Sequence, residues 1–125
     1  HTQGNILIAT GSKELHLYTV IEGYEKRCFA RVLSTRDAVE ESVRLGFKGR
    51  NLIAMQGPFS AEMNVALLHQ TKAKYFVTKE SGKAGGFEEK KKAARETGAV
   101  LVVVGRPAEE GETLADVIRM TEHFE

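Results

Sequence analysis

The chain has 125 residues, 42% of them hydrophobic and 28% charged, which suits one folded domain and is too short for two ordinary domains. Its 18 Lys and Arg residues against 17 Asp and Glu leave a net charge of +1, too balanced for a protein that binds nucleic acid by general phosphate neutralisation. The apolar residues come in short segments, so neither a disordered chain nor a membrane-spanning helix is expected.

Five short apolar runs predict five β-strands, and patterns with helical spacing separate them. The predicted strands cover residues 5–9, 28–33, 52–55, 75–78 and 100–104, and the predicted helices cover 12–21, 35–45, 60–70, 87–97 and 113–124. Most of the strand runs are continuously apolar, as in strands that helices cover on both faces. Because crossovers between parallel strands are right-handed, this order predicts an α/β fold with an open, parallel, five-stranded sheet and helices on both faces.

The carboxyl ends of parallel strands share one edge of the sheet, and open α/β folds bind ligands at that edge. The loops that follow four of the strands are Thr10-Gly11-Ser12-Lys13, Gln56-Gly57-Pro58-Phe59-Ser60, Thr78 to Gly86, and Gly105-Arg106-Pro107. Together they offer lysines, an arginine, hydroxyls and free backbone amides with hardly any carboxylate. The sequence therefore predicts a binding edge for a negatively charged ligand.

The first of these loops has the composition of a small anion cradle. Gly11 allows a tight turn, and the helix that begins near Ser12 presents free amide hydrogens and a partial positive charge. The alternative is that Ser12 only caps its helix and Gly11 only makes the turn.

The loop after the third strand places a large aromatic residue between a rigid proline and a helix. Pro58 fixes the backbone, and Phe59 either fills the core or faces a ligand. Ser60 is expected to cap the next helix, and Asn64, one turn later, can reach the same edge.

The loop after the fourth strand is rich in glycine. Its backbone can approach a ligand closely, with Lys79 or Lys83 supplying charge. The predicted contacts here are Thr78, Lys79, Ser81, Gly82, Gly85 and Gly86. The spacing is neither that of a P-loop nor that of the dinucleotide fingerprint, and a flexible lid is the alternative.

At the end of the last strand, Arg106 suits bidentate capture of a carboxylate or phosphate, or is a solvated surface residue.

Other polar residues give weaker signals. The histidines are scattered, so no metal site is predicted, and the single cysteine, Cys28, is expected to be a small buried apolar residue. The charged run at 88–92 is interpreted as a solvated helix face. With no secretory signal and no disulfide, a cytoplasmic protein is expected, and the start at His1 rather than Met favours an excised fragment.

These motifs resemble the second half of precorrin-6A reductases, including the cobalt-precorrin-6A enzymes of cobalamin synthesis. The similarity covers nearly the whole chain and rests on the loops given above, with Ala30-Arg31-Val32-Leu33 and Glu89-Lys90 between them. Ser34 stands where the family often has proline, which leaves the rigidity of that turn in doubt.

The resemblance implies an oxidoreductase with two Rossmann-like halves, of which this chain, residues 1–125, is the carboxyl-terminal one. It implies NADPH or NADH as cofactor, a polycarboxylated tetrapyrrole as substrate, and the missing amino-terminal half as partner, with no nucleic acid or membrane. The isolated domain is expected to be inactive. The alternative is a stand-alone regulatory module that binds a phosphate or nucleotide at the same edge.

Overall fold

The fold is a five-stranded parallel sheet in a computed structural model that describes residues 4–79 and 86–105. The strands are β1 (Asn5–Ala9), β2 (Cys28–Val32), β3 (Leu52–Ala54), β4 (Ala73–Lys79) and β5 (Val100–Val104). All neighbouring strands are parallel, and their order in the sheet is β3-β2-β1-β4-β5. The predicted α/β class and parallel sheet are therefore confirmed.

The strand order places a topological switch point between β1 and β4. From β1 the chain first builds outwards through β2 and β3, and then returns to add β4 and β5 on the other side. Leu7 in the central strand pairs in register with Phe29 of β2 and with Phe76 of β4. In open parallel sheets, the crevice at such a switch point is where ligands bind.

Within residues 4–79 and 86–105, six helical segments connect the strands. They are a 3-10 helix at Ser12–Val20, α1 (Tyr24–Arg27), α2 (Arg36–Arg44), a second 3-10 helix at Gly49–Asn51, α3 (Ala61–Thr71) and α4 (Phe87–Thr97). The predicted helix at 113–124 lies outside the described residues. The short α1 was not predicted, because four residues are too few to show helical periodicity.

Two apolar layers cover the sheet, one on each face. Alternate residues of a strand point to opposite faces, so Ile6 and Ile8 pack with Leu15 and Tyr18 of the first 3-10 helix, whereas Leu7 packs with Leu68 of α3. These side chains are almost completely buried, and each contributes about 1.5–3 kcal/mol of transfer free energy. Helices on both faces are thus confirmed.

The ends of the helices show which predicted caps form. Ser60 caps α3 as predicted, because its side chain accepts a hydrogen bond from the Met63 amide at 3.1 Å. The alternative role of Ser12 as a cap is wrong: Gly11, with φ of 95°, occupies the cap position, and no side chain caps that first turn.

Cys28 is fully buried, as predicted, and burial raises the pKa of its thiol to about 11.

Candidate functional site

A cleft of about 380 Å³ opens at the carboxyl edge of the sheet, where β1, β2 and β4 end. The first loop after β1, the loop after β3 and the amino end of α4 all border it. Of the predicted site residues, those that line the cleft are Thr10, Gly11, Gly57, Pro58, Phe59, Asn64, Lys79 and Gly86. Segments far apart in the sequence therefore meet at the switch point, as the argument from topology requires.

Four other predicted residues are described but do not line this cleft. Lys13 is exposed on the first 3-10 helix, and Ser12 is half-buried at the start of that helix. Ser60 is an exposed cap, and Thr78 is fully buried beneath the cleft. Lys13, Ser12 and Ser60 therefore do not contact the cleft. Thr78 contributes to it only through Lys90, to which it is hydrogen-bonded.

The remaining predictions fall on residues that the structure does not describe. They are Ser81, Gly82, Gly85 and Arg106. Their part in the site stays a prediction.

The most unusual group in the cleft is an arginine near the carboxyl end of β2. Arg31 of β2 is only 5% exposed, and burial lowers the pKa of its guanidinium to about 10. Its Nη1 donates a hydrogen bond to Oδ1 of Asn64 at 2.6 Å, and its guanidinium carbon lies 3.8 Å from the centre of the Phe59 ring. Within residues 4–79 and 86–105, Arg31 forms no ion pair with any carboxylate.

Phe59 was predicted either to fill the core or to face a ligand, and the structure places it in the lining of the cleft, against Arg31. Its ring is half-buried beside the cleft and stacks on the guanidinium of Arg31. Stacking on an aromatic face suits a guanidinium, which is weakly hydrated and planar. Phe59 therefore helps to hold Arg31 in position at the cleft.

Asn64 has one amide atom without a partner. Its side chain is fully buried, and Oδ1 is used by Arg31, but Nδ2 forms no hydrogen bond with the described part of the chain. A buried, unsatisfied donor costs free energy unless something else accepts from it. Asn64 lines the cleft, although Nδ2 itself is buried, so a ligand can supply the acceptor only if the Asn64 side chain shifts towards it.

A second cation reaches the cleft from α4. Nζ of Lys90 donates a hydrogen bond to Oγ1 of Thr78 at 2.7 Å. Burial lowers the pKa of Lys90, and the positive charge of nearby Arg31 lowers it further. The interpretation of residues 88–92 as a solvated helix face is therefore wrong for Lys90, because this side chain lies on the same side of α4 as the buried Ala93 and Ala94.

Lys79 stands at the rim of the cleft rather than inside it. Its side chain is about half exposed, and its Nζ lies 4.0 Å from Oε2 of Glu14. The rim therefore carries a carboxylate that the loop composition did not predict. A pair so exposed contributes little to stability, so Lys79 remains able to interact with a ligand.

Thr10 closes the β1 side of the cleft. Burial raises the pKa of the neighbouring Tyr18 to about 12, and an interaction with Thr10 opposes this rise. That interaction is weak in geometry, because Oγ1 of Thr10 has no well-formed hydrogen bond among the described residues. Thr10 lines the cleft, but its hydroxyl oxygen is buried beside Tyr18 and is not exposed to a ligand there.

Arg31, Asn64 and Lys90 together present donors and no charged acceptor. Such a set attracts an anion and repels a metal cation. Among the residues described, no three His, Cys, Asp or Glu side chains lie together as metal ligands would. Within the same ranges, no helix has the length and apolar character that crossing a bilayer requires.

Comparison with known proteins gives this site its context. A family model described as "Precorrin-6x reductase CbiJ/CobK" matches residues 2–123 of the chain. The chain belongs to this family. The resemblance stated from the loop motifs is confirmed by that match.

Relatives in the precorrin-6x reductase family are longer than this chain. A cobalt-precorrin-6A reductase of Priestia megaterium is 40% identical over 107 residues, which cover 84% of this chain and 42% of that protein. The cobalt-precorrin-6A reductase of Methanothermobacter thermautotrophicus is 42% identical over 108 residues, which cover 81% of this chain and 36% of that protein. The chain therefore spans well under half the length of these curated relatives.

A solved structure supports the fold within the same family. The protein titled CobK precorrin-6A reductase superposes with a TM-score of 0.61 over 97% of this chain and 46% of its own, at 20% identity. At this identity the likeness speaks for the architecture alone. It supports the Rossmann-like description of the parallel sheet.

Proposed function

We propose that this chain is the carboxyl-terminal half of a precorrin-6A or cobalt-precorrin-6A reductase. The whole enzyme reduces one double bond of the tetrapyrrole with NADPH or NADH, in a cleft that this half shares with an amino-terminal half. The family match and the relatives named cobalt-precorrin-6A reductase support the reaction. In this proposal the protein is cytoplasmic, and the isolated half is inactive.

One observation carries the assignment of the site. A buried arginine without a carboxylate partner among the described residues and a half-buried lysine face the same cleft at the switch point of the sheet. A tetrapyrrole with many carboxylates and a nucleotide with phosphates are both polyanions, and both fit a cleft of donors. The cleft therefore suits either ligand of the proposed reaction.

The chain contributes binding and orientation. The nicotinamide nucleotide, when bound, supplies the hydride, and a proton must also reach the macrocycle. Arg31, Lys90 and Asn64 hold anionic groups of a ligand, and the floor of the cleft keeps those groups in a fixed position. Lys79 at the rim attracts negative charge as the ligand enters.

The test is an assay of the longer polypeptide that contains this chain. Supplied with precorrin-6A or its cobalt form, it should oxidise NADPH or NADH, and mass spectrometry should show a tetrapyrrole that has gained a hydride and a proton. A protein that binds phosphate but oxidises neither nucleotide would favour the regulatory-module alternative. Without substrate, the nucleotide should remain reduced, which serves as the control.

A further inference from the structure

The interior of the cleft contains a set of donors that the sequence motifs did not identify as a unit. Arg31 comes from β2, Asn64 from α3 and Lys90 from α4, so three separate elements supply one cluster. We propose that these three side chains form a pocket for a single oxyanion group, either a carboxylate or a phosphate.

The pocket leaves a defined set of donors free. Nη1 of Arg31 is bonded to Asn64, and the Phe59 ring covers the guanidinium from one side. The other N–H groups of Arg31 have no hydrogen-bond partner in residues 4–79 and 86–105, and neither has Nδ2 of Asn64. An oxyanion in the cleft can accept from the edge of the guanidinium, and it can accept from Nδ2 of Asn64 as well if that buried side chain shifts towards the cleft.

Charge balance gives a second, independent argument. A buried guanidinium is costly when nothing neutralises it, and structural arginines in protein interiors are usually paired. Arg31 and Lys90 are close enough for the charge of one to lower the pKa of the other, yet neither forms an ion pair within the described ranges. An oxyanion between them would remove this repulsion and provide the missing counter-charge.

Lys90 is held in position at the cleft by a buried hydroxyl. Its hydrogen bond to Thr78 holds the ammonium at the cleft, and the side chain crosses from α4 to the end of β4. Thr78 is fully buried, so the hydroxyl cannot move far from this position. Thr78 is therefore a positioning residue that acts on the ligand through Lys90.

Which ligand carries the oxyanion group rests on the proposed function, whereas the existence of the pocket does not. A carboxylate would belong to a tetrapyrrole side chain, and a phosphate would belong to the nucleotide. Both groups accept hydrogen bonds through negatively charged oxygen atoms, so binding experiments with small anions must distinguish them.

The test is an NMR titration of the 125-residue chain with propionate and, separately, with inorganic phosphate. We expect saturable shifts of the Arg31 Nε–H and the Asn64 side-chain amide with at least one anion. Arg31→Lys should weaken binding about tenfold or more, because it removes the planar fork, and Lys90→Ala should weaken it by a similar factor. Lys92→Ala, on the exposed part of the same helix, and Arg50→Lys, on the exposed second 3-10 helix, are the matched controls and should bind like the parent.

Each outcome decides something. Tighter binding of propionate assigns the pocket to the tetrapyrrole, and tighter binding of phosphate assigns it to the nucleotide. Absence of saturable shifts with either anion, or equal affinities of the parent and Arg31→Lys in a folded variant, would overturn the pocket. If the pocket binds but the longer polypeptide oxidises no nucleotide, the pocket stands and the proposed function fails.

Discussion

The guanidinium carbon of Arg31 lies 3.8 Å from the centre of the Phe59 ring, so a residue of the loop after β3 packs against a charged side chain of β2. The same guanidinium is 5.8 Å from the ring of Phe76 in β4. Arg31 is thus placed among aromatic rings and one amide rather than beside a carboxylate of the described chain. Four expected outcomes follow from this environment, and a fifth concerns the rim of the cleft.

Replacing Phe59 should loosen the guanidinium without removing any charge. Phe59→Leu is expected to weaken phosphate or propionate binding by about fivefold, since a partly buried cation–π contact contributes about 1 kcal/mol. Phe59→Tyr keeps the ring and should retain the affinity. Isothermal titration calorimetry of both variants checks this, and equal affinities for the leucine and tyrosine variants would contradict the role given to the ring.

Removing the buried pair of polar groups should separate stability from binding. In the double variant Arg31→Met, Asn64→Leu, no buried donor or acceptor of the pair is left unsatisfied. We expect its free energy of unfolding in urea to be equal to that of the parent or higher by about 1–4 kcal/mol, while anion binding is lost. A marked fall in stability would instead show that Arg31 has a structural role.

Anion binding should depend on pH through Lys90. Burial, and then the charge of Arg31, lower the pKa of Lys90 in the unliganded chain. The affinity for sulfate, whose own charge is constant in this range, should therefore fall as pH rises through that lowered pKa, before exposed lysines lose their protons. In Lys90→Ala this fall should be smaller, since only Arg31, whose pKa is about 10, is left to titrate in the pocket, and a fall of the same size in the variant would exclude Lys90 as its cause.

The stability of the unliganded chain should move in the opposite direction. The folded state releases the Lys90 proton at a lower pH than the unfolded state does, so the unfolded state binds more protons between the two pKa values. The contribution of Lys90 to stability is therefore least favourable below its folded pKa and improves as pH rises towards the unfolded value. Comparison of urea unfolding for the parent and Lys90→Ala across this range isolates that contribution.

Lys79→Ala tests the rim of the cleft in the longer polypeptide. We expect the Michaelis constant for one anionic ligand to rise about tenfold, because a charge-assisted contact is lost. Stability should change by less than about 1 kcal/mol, since the pairing of Lys79 with Glu14 is exposed and long. Lys74→Ala, an exposed lysine at the opposite end of β4, is the control, and unchanged constants for both ligands in Lys79→Ala would remove Lys79 from the site.

The fold could be predicted from the sequence because its signals are local. Continuous apolar runs such as Val100–Val104 identify buried strands, and the alternation with helical patterns identifies a parallel sheet. The order β3-β2-β1-β4-β5 could not be derived, because it depends on which side each crossover takes after β1. The first helix was placed correctly, but its 3-10 geometry was not predicted.

The site could be predicted only in part, because the composition of the loops does not reveal a residue such as Arg31, which lies in a strand. Arg31 interrupts an apolar run between Ala30 and Val32, and a charged residue at a fully buried strand position is itself a signal of function. Lys90 was hidden in a charged run, although its spacing from Ala93 and Ala94 places it on the buried side of α4. The helical spacing of α4 therefore predicts that Lys90 lies on the buried side, whereas the composition of the charged run does not.

The most direct test of the central claim is the rate of NADPH or NADH oxidation by the longer polypeptide with cobalt-precorrin-6A or precorrin-6A, measured for the parent and for Arg31→Lys. If the cleft binds an anionic ligand of this reductase, the parent should turn over and the variant should lose about tenfold or more in kcat/KM. Control variant Arg50→Lys should react like the parent. No nucleotide oxidation by the parent, or the same kcat/KM for the parent and Arg31→Lys, would contradict the account.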